Sequence, residues 1–239
     1  IKGLGNANKF MNRFLLDGFE NYGLRIEEIS GGGLRNAIPR ESVSKFCIDT
    51  IHEEAFKADI EEFSAVLKEE YKTLEPNLKI TLEKIDLPKR VMNLGVQEGF
   101  LKAIQAAWNG VYRMSPDIEN LVETSNNVAR VSVKEGNLEV LCLTRSSVES
   151  SRIDIANTLR SVFELIGCDV VLSGEYPGWK PNMESPILQV LVDKYKQINN
   201  TDPHVAACHA GLECGILGQN YPDMDMISFG PTIRGAHSP

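Results

Sequence analysis

Apolar side chains recur every three or four residues in several stretches of the chain, and each such stretch predicts a helix with one buried face. Over 6–17 that face is Ala7, Phe10, Met11, Phe14 and Leu15, with Asn6 as a cap and Gly18 and Gly23 bracketing the exit. Over about 53–72 it is Phe56, Ile60, Phe63, Leu67 and Tyr71. Further helices are predicted over 96–108, through Phe100, Ile104 and Trp108, and over 151–166, through Ile155, Leu159, Val162, Phe163 and Ile166. Alternating or short apolar runs predict strands at 24–29, 42–49, 78–85 and 168–173, with a short one near 120–124. Residues 128–133 and 138–144 read as a hairpin around Glu135-Gly136-Asn137.

Helix, strand, strand, helix, strand therefore occurs twice, about 90 residues apart, as a repeat of architecture without residue-level identity. A composition shift follows at 174–182, where Gly174, Pro177, Gly178 and Pro181 mark a loop or linker. Beyond it, a helix over 186–198, a brief strand at 204–208, a short helix at 211–218 and a strand at 226–229 have the grammar of an α/β layer. A domain boundary is placed near residue 177, and the part after it is too short for a complete α/β domain.

Composition narrows the function classes. The 239 residues carry a formal net charge of −8, which argues against a broad nucleic-acid-binding face. With 42% hydrophobic residues, the chain has ordinary globular composition, and no apolar run approaches the roughly 18–20 residues of a membrane span. Five scattered cysteines without C-x-x-C spacing fit a reducing, cytoplasmic setting. The start lacks Met and a signal-peptide pattern, and the chain stops on a glycine-rich stretch, so both ends read as cut.

The four histidines differ in setting. His52 sits near the start of an acidic helix and His204 before a strand, both unremarkable positions, whereas His209 and His237 lie at strand-to-loop transitions among glycines. His209 and Glu213 are four apart and would share a helical face, yet a mononuclear zinc site needs at least three protein ligands, and an ordinary hydrogen bond also fits. Asn36 follows the flexible-looking Gly31-Gly32-Gly33 run, and Arg145 ends an apolar strand among hydroxyls, where a guanidinium suits a carboxylate clamp. Capped turns are the plainer reading of both. P-loop, G-x-S-x-G and H-E-x-x-H motifs are absent.

Taken together, His209-Ala210-Gly211-Leu212-Glu213-Cys214-Gly215, the run from Tyr221 through Met226 to Pro231, and His237-Ser238-Pro239 resemble the C-terminal part of the bacterial aminoacyl-histidine (Xaa-His) dipeptidases, co-catalytic zinc metallopeptidases. Gly5-Asn6-Ala7-Asn8-Lys9 and the run Gly33 to Arg40 resemble the lid domain of that family. The resemblance implies an α/β fold: a duplicated α+β lid inserted in a zinc-peptidase α/β catalytic domain. Residues 1–177 would be most of the lid, lacking its opening strand, and 178–239 a truncated C-terminal catalytic segment. The N-terminal catalytic half, with the first metal-binding His, a bridging Asp, the Glu-Glu pair and a further Asp, would be missing.

By position, the resemblance implies that His237 is a zinc ligand, that Asn36 and Arg145 contact substrate at the oxyanion and the peptide carboxylate, and that the Gly211 backbone lines the pocket. No catalytic general base falls within the chain. The implied cofactor is a pair of Zn²⁺ ions. Implied substrates are unblocked dipeptides, Xaa-His and carnosine-type among them. A cytoplasmic homodimer without nucleic-acid or membrane partners is expected, and the 239 residues alone are expected to be inactive. The alternative class is a non-catalytic α/β ligand-binding or assembly module, which needs no upstream ligands.

Overall fold

The computed structural model describes residues 3–175, 177–179, 182–207 and 213–230. Its first helix, α1 (Ala7–Tyr22), is capped by Asn6, whose side chain accepts the Asn8 and Lys9 N–H groups that the first turn cannot pair internally. The helix continues through Gly18 and stops at Gly23, which adopts a left-handed φ of 62°. Gly18 is retained inside the helix for packing, since a Cβ there would lie 2.8 Å from Leu24 Cδ1.

β1 (Arg25–Gly32) and β2 (Ser42–Cys47) pair antiparallel, with Gly31 opposite Ser42. α2 (Glu53–Tyr71) and α3 (Leu94–Ala106) follow, then β3 (Gly110–Met114), β4 (Val122–Lys134), β5 (Asn137–Ser146) and α4 (Glu149–Glu164). α5 (Pro186–Asn199) and α6 (Glu213–Asn220) complete the described helices. The strands form one sheet in the order β2-β1-β4-β3, with β5 also paired to β4. The predicted hairpin is present: Glu135 and Gly136, with φ of 51° and 84°, make the two-residue turn between β4 and β5, the positive-φ pair that matches strand twist.

The chain divides into two compact units. The first comprises 1–110, 126–143 and 159–170; the second comprises 111–125, 144–158 and 171–239. The first has a dense core. Leu15, Leu24, Ile26, Leu67, Phe100, Leu101, Ile104 and Val128 are almost fully buried, and Phe14 meets Phe46, Phe56 and Phe63 with ring centroids 5.6–5.8 Å apart. Gln97, wholly buried on α3, substitutes for a strand neighbour: its Oε1 accepts Ile26 N–H at 2.9 Å and its Nε2 donates to Leu24 O at 2.7 Å. In the second unit, Leu121 and Ile155 are the buried apolar side chains among the described residues.

Several predicted strands are absent. Residues 78–85, 168–173, 204–207 and 226–230 are irregular, and Leu82, Ile85 and Val171 are exposed. Alternation marks a face that could be buried, but a strand exists only where a neighbouring edge takes its N–H and C=O groups. The helix–strand–strand–helix order nonetheless recurs, with β3 added in the second half. The glycine run is not a flexible tether. Gly31 and Gly32 are the last residues of β1, paired opposite Val131 and Arg130 of β4. A Cβ on Gly31 would fall 1.8 Å from Asn8 Oδ1, and one on Gly32, at φ +73°, would fall 1.9 Å from Ala129 O.

Candidate substrate-binding site

Asn36 lies exposed at the turn of the β1–β2 connection, and that connection is fastened along its length. Gly32 N–H donates to Glu41 O across its base, and Ala37 N–H to Leu34 O across its tip. Ala7 N–H, at the start of α1, donates to Pro39 O at 3.1 Å. Arg40 makes a two-pronged ion pair with Glu75, which also accepts Gly5 N–H at 3.0 Å. The Arg40 guanidinium, opposed by burial and helped by Gly5 N–H, holds the Glu75 carboxyl below its ordinary pKa.

Asn127 of β4 supplies the remaining fastening. Its Nδ2 donates to Ala37 O at 2.7 Å and to Arg35 O at 3.2 Å, the carbonyls on either side of Asn36. Its Oδ1 accepts from Asn6 Nδ2, which also donates to Asn109 Oδ1 and Val128 O. The Asn6–Lys9 segment is thereby explained: Asn6 caps α1 and joins this amide network, while Lys9 Nζ donates to the carbonyls of Ile104, Gln105 and Ala107 at the end of α3. Burial lowers the Lys9 pKa, and the carbonyls of a helix C-terminus suit its charge.

Arg145 is half-buried, one residue from the end of β5, and among the described residues no carboxylate pairs with its guanidinium. Its neighbour Ser146 fixes the strand end, with Oγ 2.8 Å from Thr124 Oγ1 and accepting Val148 N–H at 3.0 Å. Ser147 N–H donates to Glu123 O. The chain passes close by at Gly178, where a Cβ would lie 2.7 Å from Ser146 O; a Cβ on Gly215 of α6 would lie 2.5 Å from Pro177 O. A cavity of about 370 Å³ opens beside this strand end, lined by Arg113, Asp117, Leu121, Glu123, Ser147 and Met183 among others. Glu123 is nearly buried there, 3.4 Å from the Arg113 guanidinium and accepting Ser151 Oγ at 3.3 Å.

Gly211 and His237, and with them His209, lie outside the described residues. Among the described residues, no three His, Cys, Asp or Glu side chains cluster to hold a metal ion. Asp225 serves the fold: it accepts Ile187 N–H at the start of α5, and that bond, ahead of Ser185, lowers its pKa. Burial pushes the Cys142 thiol up to about 11, consistent with an inert apolar role. Asn36 belongs to the first unit and Arg145 to the second, each held by its own surroundings.

The first unit thus presents an exposed amide on a hydrogen-bonded loop of its α+β fold, and the second a half-buried guanidinium at a strand end, with no carboxylate partner among the described residues. Residues 2–75 match the peptidase dimerisation domain family. Over 237 residues, 99% of its length, the chain is 38% identical to the cytosol non-specific dipeptidase of Escherichia coli (strain K12), covering 49% of that protein. It superposes with a TM-score of 0.90 on the crystal structure of aminoacylhistidine dipeptidase from Vibrio alginolyticus, at 40% identity, covering 99% of this chain and 48% of that one. The chain is similar to these dipeptidases along nearly its whole length and spans about half of theirs. No helix among the described residues is long and apolar enough to cross a membrane.

Asn127 and Glu123 were not singled out by the sequence, and Gly178 was read only as part of a loop or linker. Asn127 sits in a polar doublet beside Asn126 with nothing local to set it apart, because the carbonyls it holds are about 90 residues away.

Proposed function

We propose that this chain is the lid and the following catalytic segment of a metal-dependent dipeptidase, with the boundary between them near residue 177. The observation that carries the reading is its end-to-end structural likeness to a dipeptidase. The described residues after 177 support it, since no apolar side chain among them is buried, as fits part of a domain and not a whole one.

In this reading the substrate is an unblocked dipeptide, Xaa-His peptides such as β-alanyl-histidine included. The Arg145 guanidinium, lacking a carboxylate partner among the described residues, receives the substrate's C-terminal carboxylate in a bidentate pair. Asn36 donates its amide N–H to the scissile carbonyl oxygen as negative charge develops on it. The Gly211 backbone lines the pocket. Two Zn²⁺ ions are part of the proposal, with His237 as one ligand. The described residues do not by themselves make a metal site, so the steps assigned here run through this chain's own donors alone. The general base belongs to the rest of the protein. The intact enzyme is a cytoplasmic homodimer joined through its dimerisation-type domain.

The test is hydrolysis. The full-length protein should cleave unblocked dipeptides, lose activity to a chelator and regain it with Zn²⁺, while the 239-residue chain shows no turnover. Robust cleavage by the isolated chain, or no cleavage of any unblocked dipeptide by the full-length protein, would overturn the reading.

A further inference from the structure

Asn127 holds the two carbonyls that flank Asn36, at 3.2 Å for Arg35 and 2.7 Å for Ala37, from a strand about 90 residues further along the chain. The two bonds together do what neither could alone. A single bond would leave the turn free to pivot about one carbonyl, whereas a pair on either side of residue 36 fixes the rotation of its Cα–Cβ vector. The clamp is itself braced, because Asn127 Oδ1 accepts from Asn6 Nδ2 and Asn6 is tied to Val128 O at 3.1 Å and Asn109 Oδ1 at 2.9 Å. Asn109 Oδ1 in turn accepts Val128 N–H at 3.0 Å, so the brace returns to the strand that carries Asn127. The Asn36 side chain, by contrast, is exposed and has no hydrogen-bond partner among the described residues. The direction of its Cα–Cβ bond, from which the side chain starts, is set by its backbone.

We propose that Asn127 is the positioning residue for Asn36: its amide aims the Asn36 side chain, so that Asn36 acts on the transition state only while both flanking carbonyls are held. This rests on the reading of Asn36 as a donor to the developing oxyanion. Preorganisation is what such a donor contributes, and a displacement of about 1 Å can cost on the order of 10²-fold in rate. Asn127→Asp is the sharpest variant. It keeps the shape and the acceptor for Asn6 Nδ2, but turns the two N–H donors into an oxygen facing two carbonyl oxygens. Asn127→Ala is the second variant. It removes the clamp without repulsion and leaves Asn6 its bonds to Asn109 and Val128.

The experiment is steady-state hydrolysis of β-alanyl-histidine by the full-length protein, in wild type, both Asn127 variants, Asn36→Ala and the Asn36→Ala/Asn127→Ala double variant, with circular dichroism as a check on folding. The expected result is a fall in kcat of about 10–100-fold for Asn127→Ala, at least as large for Asn127→Asp, with KM within about threefold of wild type. In the Asn36→Ala background, Asn127→Ala should cost nothing further. A merely structural role would instead give a loss that multiplies with that of Asn36→Ala. Such multiplication, or a folded Asn127→Ala with wild-type kcat while Asn36→Ala is impaired, overturns the proposal. If Asn36→Ala itself has wild-type kinetics, the oxyanion reading fails first and this inference falls with it.

Discussion

Around Asn36, polar groups do the holding. Carbonyls of residues 35, 37, 39 and 41 each accept a named N–H from elsewhere in the first unit, and the Arg40–Glu75 ion pair closes the exit of the loop. Around Arg145, shape does more of it. The strand end is fixed by Ser146 and Thr124, but the chain at 177–178 comes so close to Ser146 and to Gly215 that no Cβ fits at either glycine. The first arrangement is directional and fails when a donor or acceptor is removed. The second is steric and fails when a methyl group is added. Each proposed site residue thus has its own characteristic weak point, and variants can be chosen to strike one and spare the other.

The largest expected effect is at the directional site. In the full-length protein, Asn36→Ala should lower kcat by about 10²–10³-fold with little change in KM, as loss of one oxyanion donor does; steady-state kinetics measures it. Next comes the steric site. Gly178→Ala should lower kcat/KM by about 10–100-fold on dipeptides with a free carboxylate while the circular dichroism spectrum stays native, because the strand end carrying Arg145 must shift by a few tenths of an ångström or more. A wild-type value for Gly178→Ala would show that this packing does not govern the site.

Stability separates the two regions further. Gln97→Leu strands Ile26 N–H and Leu24 O in the core of the first unit and should cost about 2–4 kcal/mol in urea denaturation. The smallest effect is electrostatic. The lowered Glu75 pKa means its ion pair stabilises the fold above the ordinary glutamate value of 4.5 and loses that contribution as pH falls through the folded value. Wild type should therefore exceed Glu75→Gln by about 1 kcal/mol at pH 7, discounted for the exposure of Arg40, and the gap should narrow as pH falls below 4.5 and through the folded value. A gap that widens on acidification would reverse the sign of the argument.

The helices were legible because their periodicity is local: the faces of α1, α2, α3 and α4 can be read from residues three and four apart. So was the β4–β5 hairpin, whose turn needs positive φ at Glu135 and Gly136. Residues 78–85 alternate and 168–173 form a short apolar run, yet neither pairs as a strand, and pairing is a property of a second segment that no local pattern encodes. Gly31 and Gly32 looked like a tether because sequence cannot tell a glycine that is free from one that is crowded by Asn8 and Ala129. At the site, the glycine run before Asn36 and the strand end at Arg145 drew attention locally and motif resemblance assigned their roles, while Asn127 acts on carbonyls 90 and 92 residues distant and left no trace in its own neighbourhood. Gly211 and His237, read from the same motifs, lie outside the described residues.

In the proposed site, Arg145 supplies this chain's carboxylate-binding side. The most direct measurement is the ratio of kcat/KM for a dipeptide and for its C-terminal amide, in full-length wild type and in Arg145→Ala. Wild type should prefer the free carboxylate by about 10²-fold, the scale set by a charge-paired guanidinium, and Arg145→Ala should bring the ratio close to one. An undiminished preference in Arg145→Ala would contradict this role.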